Sequence, residues 1–91
     1  MRVRYTRRAL RQLAEILDYI DARSPQGADN VKRRLQAVIE LLADHPNSGR
    51  LTSKNGIRRA VARPYPYLIF YRPDTMGIVI HGVRHAARRS R

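Results

Sequence analysis

The sequence predicts a two-layer α+β domain in the order β-α-α-β-β-β, with a helical hairpin packed on one face of a mainly antiparallel sheet. Two observations carry this reading. Apolar residues recur at three- and four-residue steps through the first half of the chain, and the period falls to two in the second half. A third, the short Ser24-Pro25 break between the two helical stretches, forces them to fold back on each other.

Residues Arg2 to Tyr5 alternate basic and apolar side chains, as a short half-buried strand does. Thr6 is placed to cap the helix that follows. Its apolar stripe is Ala9, Leu10, Leu13, Ile16, Leu17 and Ile20, running to about Ala22, with Asp18 and Asp21 on the polar side. Ser24-Pro25 restarts a helix, because the hydroxyl accepts from an orphan N–H and proline has no N–H to lose there. Ala28, Val31, Leu35, Val38 and Leu42 keep the spacing, widened by Ile39 and Leu41, up to the breaker His45-Pro46-Asn47-Ser48-Gly49. After a polar stretch to Gly56, Ile57 to Ala62, Tyr67 to Arg72 and Ile78 to His85 read as strands. Pro64-Tyr65-Pro66 turns the chain after the first of them, and Pro73 to Gly77 forms a hairpin loop after the second. The basic tail 86–91 is expected to fray. No internal repeat or second domain is visible, so residues 1–91 are expected to form a single domain.

The chain has 91 residues, no cysteine, and a formal charge of +12 from 19 Lys+Arg and 7 Asp+Glu. A domain of this size buries only about 60% of the surface its unfolded chain exposes, which excludes a large multi-step enzyme. Without cysteine there is no disulfide framework and no thiolate zinc site. No stretch approaches the roughly 20 apolar residues of a membrane span, and the start lacks a signal-peptide core. The expected compartment is the cytosol.

Residues 1–44 carry nine Lys/Arg and six Asp/Glu, whereas residues 45–91 carry ten and one. A field of that sign draws anionic partners, either nucleic acid or acidic protein segments. The bland alternative is compositional: 17 of the basic residues are arginine, as a GC-rich genome produces without selection for phosphate contact.

The central strand is apolar on both faces, with Tyr67, Ile69 and Tyr71 on one and Leu68 and Phe70 on the other; the last strand places Ile78 and Ile80 opposite Val79 and Val83. One helical hairpin covers one face, so a partner is expected on the second. The Tyr67, Ile69, Tyr71 face is the expected open one, since tyrosine presents an apolar ring while its hydroxyl needs water or a partner. The alternative is that these rings close on each other or on the loop before Ile57.

Taken in order, these residues resemble the RelE/ParE superfamily of bacterial toxins from toxin–antitoxin systems, and within it the ParE branch. The likeness covers almost the whole chain. It rests on the opening strand, Thr6-Arg7-Arg8-Ala9-Leu10 with Leu13, Ile16 and Tyr19-Ile20, and Val38-Ile39 before His45-Pro46 and Gly49-Arg50. Arg58, Tyr67-Leu68-Ile69-Phe70-Tyr71-Arg72 and Ile78-Val79-Ile80 with Val83-Arg84-His85 and Arg88 complete it. The resemblance implies a toxin neutralised by a cognate ParD-like antitoxin whose C-terminal half folds on docking and whose N-terminal half binds DNA as a dimer. The expected antitoxin contacts are Leu13, Ile16, Leu17, Ile20, Tyr67, Ile69 and Tyr71.

The branch sets the chemistry. RelE-like members are ribosome-dependent endoribonucleases, and ParE-like members poison DNA gyrase without catalytic residues. Cleavage through a 2′-hydroxyl needs a base, a charge stabiliser and an acid at one phosphate. Where RelE-like sequences carry an arginine before the central strand this chain has Tyr67, and its last six residues contain no tyrosine. His81 and His85 fall on one strand face about 13 Å apart, too far to serve one phosphate as a pair. The ParE reading therefore expects no catalytic set and places target contacts at Arg58, Arg59, Arg84, His85 and Arg88. The runner-up is a ribonuclease using His85 with Arg59, Arg84 and Arg88, and a third reading is a basic binding module.

Other classes are poorly represented. No glycine-rich phosphate loop is present, the three histidines lack partner ligands at metal spacing, and no cofactor is expected. The hairpin imitates a helix-turn-helix, but Lys32, Arg33 and Arg34 lack the companions that read base edges and are expected to form a solvated outer face.

Overall fold

The computed structural model describes residues 2–87. The strands are β1 (Val3–Tyr5), β2 (Arg50–Leu51), β3 (Arg58–Val61), β4 (Tyr67–Asp74) and β5 (Gly77–His85), and the helices are α1 (Arg7–Asp21) and α2 (Pro25–Asp44). They form one sheet in the order β1-β5-β4-β3-β2, with both helices on one face. All pairings are antiparallel except β1 with β5, the first and last strands of the sequence, which run parallel. The expected two-layer architecture is present.

Both helix starts follow the capping logic. The Thr6 hydroxyl accepts from the Ala9 amide at 3.1 Å, and the Ser24 hydroxyl accepts from Gly27 at 3.0 Å with Pro25 as the first helical residue. Asp18 and Asp21 are exposed, as are Lys32, Arg33 and Arg34 on α2; Arg33 pairs with Asp29 one turn back. No helix among the described residues is long and apolar enough to cross a membrane.

Two local features differ from expectation. The two-residue strand β2 lies in the polar stretch read as loop, held to β3 through Arg50 opposite Arg59 and Leu51 opposite Arg58. Two residues are too few to show a period. The β4–β5 hairpin is also tighter, since β4 runs through Pro73 to Asp74 and only Thr75 and Met76 form the turn. Asp74 accepts from the Met76 amide and pairs with Arg4, and these bonds hold its carboxyl below the usual range. Gly77 closes the turn at φ +137°, with no room for a Cβ against the Arg2 carbonyl. At the other end, Ala86 donates to the Pro66 carbonyl and Ala87 to His85; the rest of the expected frayed tail lies outside the described residues.

The core corrects the expected orientation of the sheet. Ile69 and Tyr71 are 0% exposed, packed with Ile78, Ile80 and Val83 beneath Val31, Leu35, Val38, Ile39 and Leu42 of α2. Tyr67 is half-buried at the edge of the same cluster. The Tyr67, Ile69, Tyr71 face is thus the covered one, and Leu68 and Phe70 face outward. Charge supplies the reason. Across the strands Leu68 stands opposite Arg84 and Phe70 opposite Arg59, so turning that face under the helices would strip arginines of water.

Tyr71 is accommodated because its hydroxyl reaches chain at the rim of the core. It accepts from the Gly49 amide at 2.9 Å and donates to the Pro46 carbonyl at 2.8 Å. Arg58, opposite Tyr71, donates to the carbonyls of Asn47 and Gly49. The helix-breaking segment is thereby tied to the sheet and delivers β2 to its edge. Replacing Tyr71 with Phe is expected to lower unfolding free energy by about 1–3 kcal/mol, since a buried N–H loses its acceptor. Gly49→Ala is expected to cost more, because its Cβ would collide with the Tyr71 hydroxyl and ring. Urea titration reads both, and unchanged midpoints would refute the anchor.

Candidate functional site

The outward face of the sheet holds a cleft of about 610 Å³. Its floor is Phe70 of β4 with Arg59, His81 and Arg84 from the flanking strands. One wall is the start of α1, through Thr6, Arg8 and Gln12, and the other runs from Arg50 to Lys54 and Ile57 around β2. Both walls exist for reasons already legible in the backbone: α1 begins where β1 ends, and β2 is held by the Tyr71 anchor.

The floor depends on a bulge in β5. Phe70 pairs with Gly82 and Tyr71 with Ile80, leaving His81 as an extra residue. Alternation therefore shifts phase. Ile78 and Ile80 point into the core, His81 and Gly82 lie on the cleft side, and Val83 returns to the core at 1% exposure, correcting its expected place beside Val79. Helix α1 clamps this shift. Gln12 accepts from the Val83 amide at 2.9 Å along the edge of β5 that β1 leaves open, and Thr6 donates to the His81 carbonyl at 3.3 Å. The missing side chain at Gly82 leaves Gln12 its place, since a Cβ there would stand 3.0 Å from the Gln12 oxygen.

Electrostatically the cleft is one-signed. Arg8, Arg50, Lys54, Arg59 and Arg84 line it, and among the described residues no carboxylate does. The Arg84 guanidinium lies 4.8 Å from the Phe70 ring centroid, in cation–π contact. Partial burial, and then the Arg72 charge, push the His81 imidazole below its ordinary pKa of 6.5, so it is largely neutral at pH 7. Among the described residues no group of three or more His, Asp or Glu is placed to hold a metal ion.

The structure divides the expected target residues. Arg59 and Arg84 meet in the cleft. Arg58 is occupied in the Asn47–Gly49 anchor, and His85 packs edge-on against Tyr67 with centroids 5.5 Å apart, on the helix-covered side. Arg88 lies outside the described residues. The expectation that His81 and His85 share a strand face is overturned by the bulge, which puts them on opposite sides. The expected target set lacks Arg8, Arg50, Lys54 and His81, because strand register and the start of α1 bring them in from distant positions. Of the expected antitoxin contacts, Leu13, Ile16, Leu17 and Ile20 are half-buried against the core, whereas the fully buried Ile69 and Tyr71 are closed to any partner on this fold.

Two outcomes test this geometry. Gln12→Leu orphans the Val83 amide and is expected to cost about 1–3 kcal/mol of stability, with faster hydrogen exchange at Val83 before other β5 amides. For His81, a depressed folded pKa means that its stability contribution is whole above 6.5 and is lost as pH falls through the lower folded value. An NMR titration should place His81 below 6.5, rising in Arg72→Gln; a midpoint at or above 6.5 would refute the burial argument.

Comparison with known proteins agrees with the fold and places the chain in a family. The family profile described as the ParE toxin of the type II toxin–antitoxin system parDE matches residues 3–90. Toxin RelE2 of Caulobacter vibrioides is 39% identical over 84 residues, covering 92% of this chain and 93% of its own. Y4kP of Sinorhizobium fredii is 41% identical over 71 residues, covering 78% of this chain and 74% of its own. Among solved structures, the chromosomal ParDE system of P. aeruginosa superposes with a TM-score of 0.80 at 20% identity, covering 93% of this chain and 95% of that one. The isolated E. coli RelE toxin superposes at 0.59 with 16% identity, covering 97% of this chain and 86% of that one. With 88 residues inside the family profile, this chain belongs to the ParE toxin family, within the RelE/ParE toxins of toxin–antitoxin systems.

Proposed function

We propose that this chain is neutralised by a cognate ParD-like antitoxin and that, once freed, it inhibits DNA gyrase through the sheet-face cleft without cleaving a substrate. The observation that carries the reading is the separation of two unlike surfaces. On the hairpin, Leu10, Tyr19 and Leu41 are 54%, 49% and 55% exposed beside the half-buried Leu13, Ile16, Leu17 and Ile20. An acidic amphipathic segment that folds on docking suits that surface and the +12 charge. Similarity to the P. aeruginosa ParDE system supports such a partner. The cationic cleft lies on the other side of the sheet, where it meets an acidic or DNA-bound target.

The non-enzymatic part rests on the histidines. Only His81 lines the cleft, and His85, across the sheet, cannot serve the same phosphate. A ribonuclease reading keeps one specific support, a neutral His81 able to accept a proton beside Arg59 and Arg84, and a relative named RelE2 shares 39% identity.

With gyrase, supercoiled DNA and ATP, the purified chain is expected to block supercoiling or accumulate cleaved DNA, and a translation extract should show no codon-phased mRNA cuts. The reverse pair of results selects the ribonuclease. Arg59→Glu with Arg84→Glu should weaken gyrase inhibition at least about tenfold while antitoxin binding persists. Leu10→Glu with Leu41→Glu should do the opposite. If both pairs impaired both activities equally, the two-surface reading would fail.

A further inference from the structure

The cleft cations are left without partners in a chain that finds partners for others. Arg2, Arg4 and Arg33 pair with carboxylates, and Arg34, Arg58 and Arg72 donate to backbone carbonyls. Among the described residues, Arg8, Arg50, Lys54 and Arg59 make no side-chain hydrogen bond or ion pair, and Arg84 makes none beside its cation–π contact with Phe70. Like charges lining one cavity repel each other, and an anion placed among them would relieve that repulsion beyond what water and salt do.

Size and shape narrow the anion. At about 610 Å³ the cleft falls within the roughly 300–1,000 Å³ of small-ligand sites, and it is walled on both sides, by α1 and by the chain from Arg50 to Lys54. The Arg84 guanidinium carbon lies over the Phe70 ring and the side chain is exposed, so a nucleobase has an accessible arginine on which to stack. A strand of nucleic acid asks for a groove that tracks its backbone and for successive stacking platforms. Here the cations line one walled cavity, and of its two rings, Phe70 and the His81 imidazole, Phe70 already carries Arg84.

We propose that the cleft binds a free nucleoside polyphosphate, with the phosphate chain among Arg8, Arg50, Lys54 and Arg59 and the base stacked on Arg84. The site is a property of the isolated chain, so it stands or falls independently of the gyrase reading. Occupancy would neutralise the cleft and link whatever target binds there to nucleotide level.

Calorimetry on the purified full chain at about 150 mM salt tests it, with ADP, pyrophosphate and a single-stranded hexanucleotide as probes. ADP should bind with unit stoichiometry and more tightly than pyrophosphate. Arg84→Ala should weaken ADP about tenfold and leave pyrophosphate within about twofold. Arg50→Gln with Arg59→Gln should weaken both about tenfold, whereas Lys32→Gln with Arg63→Gln, an equal charge loss at exposed cations outside the cleft, should change neither. Circular dichroism confirms that each variant is folded; none of these side chains lies in the core. The proposal is overturned if pyrophosphate matches ADP, if the outer pair costs as much as the cleft pair, or if the hexanucleotide binds over tenfold tighter with the same variant dependence.

Discussion

The phase shift in β5 is the constraint on which the rest of this molecule turns. Without the extra residue at His81, strict alternation from Ile78 and Ile80 would carry Gly82 and Arg84 toward the helices and Val83 and His85 into the cleft. The bulge reverses this, so one strand supplies Ile78, Ile80 and Val83 to the core and His81 and Arg84 to the opposite side. Thr6 and Gln12 are what the start of α1 contributes to holding that arrangement, by bonding a carbonyl and an amide on the edge of β5 that β1 leaves open. The helix that covers the core thereby also builds a wall of the cleft.

Coverage on one side alone follows from charge as much as from hydrophobicity. Both faces of β4 are apolar, and area alone would allow either to be buried. The decision comes from the neighbouring strands, where Arg59 and Arg84 stand opposite Phe70 and Leu68. Burying isolated guanidinium groups costs several kcal/mol each, far more than a phenolic hydroxyl that finds two backbone partners. Tyr71 meets that condition through Gly49 and Pro46, and in doing so fastens the loop that forms the second wall.

This also explains what could be read from sequence and what could not. The helices, their caps and the three long strands were legible because each is specified by local periodicity and by residues such as Thr6, Ser24 and Pro25. The open face is not legible in β4 alone, because the deciding charges stand on its cross-strand partners. Strict alternation gives the wrong faces for Val83, His81 and His85 because a bulge breaks the period of two and carries no signature stronger than Gly82. Arg59 and Arg84 of the cleft were among the residues singled out. Arg8, Arg50 and Lys54 were not, since they join only through the closing of the sheet's two edges by α1 and β2.

The same comparison separates structural from functional charge. Arg58 and Arg59 are adjacent and chemically identical, yet alternation sends one to the Asn47–Gly49 carbonyls and the other into a cavity where, among the described residues, no hydrogen-bond or ion-pair partner meets it. A small domain stands only a few kcal/mol above unfolding, and clustering like charges works against that margin. Structural necessity accounts for Arg58, because it closes the rim above Tyr71. No such necessity accounts for five cations around Phe70, and a surface that departs from local consistency without a compensating contact inside the chain is where a ligand or partner is expected to supply it.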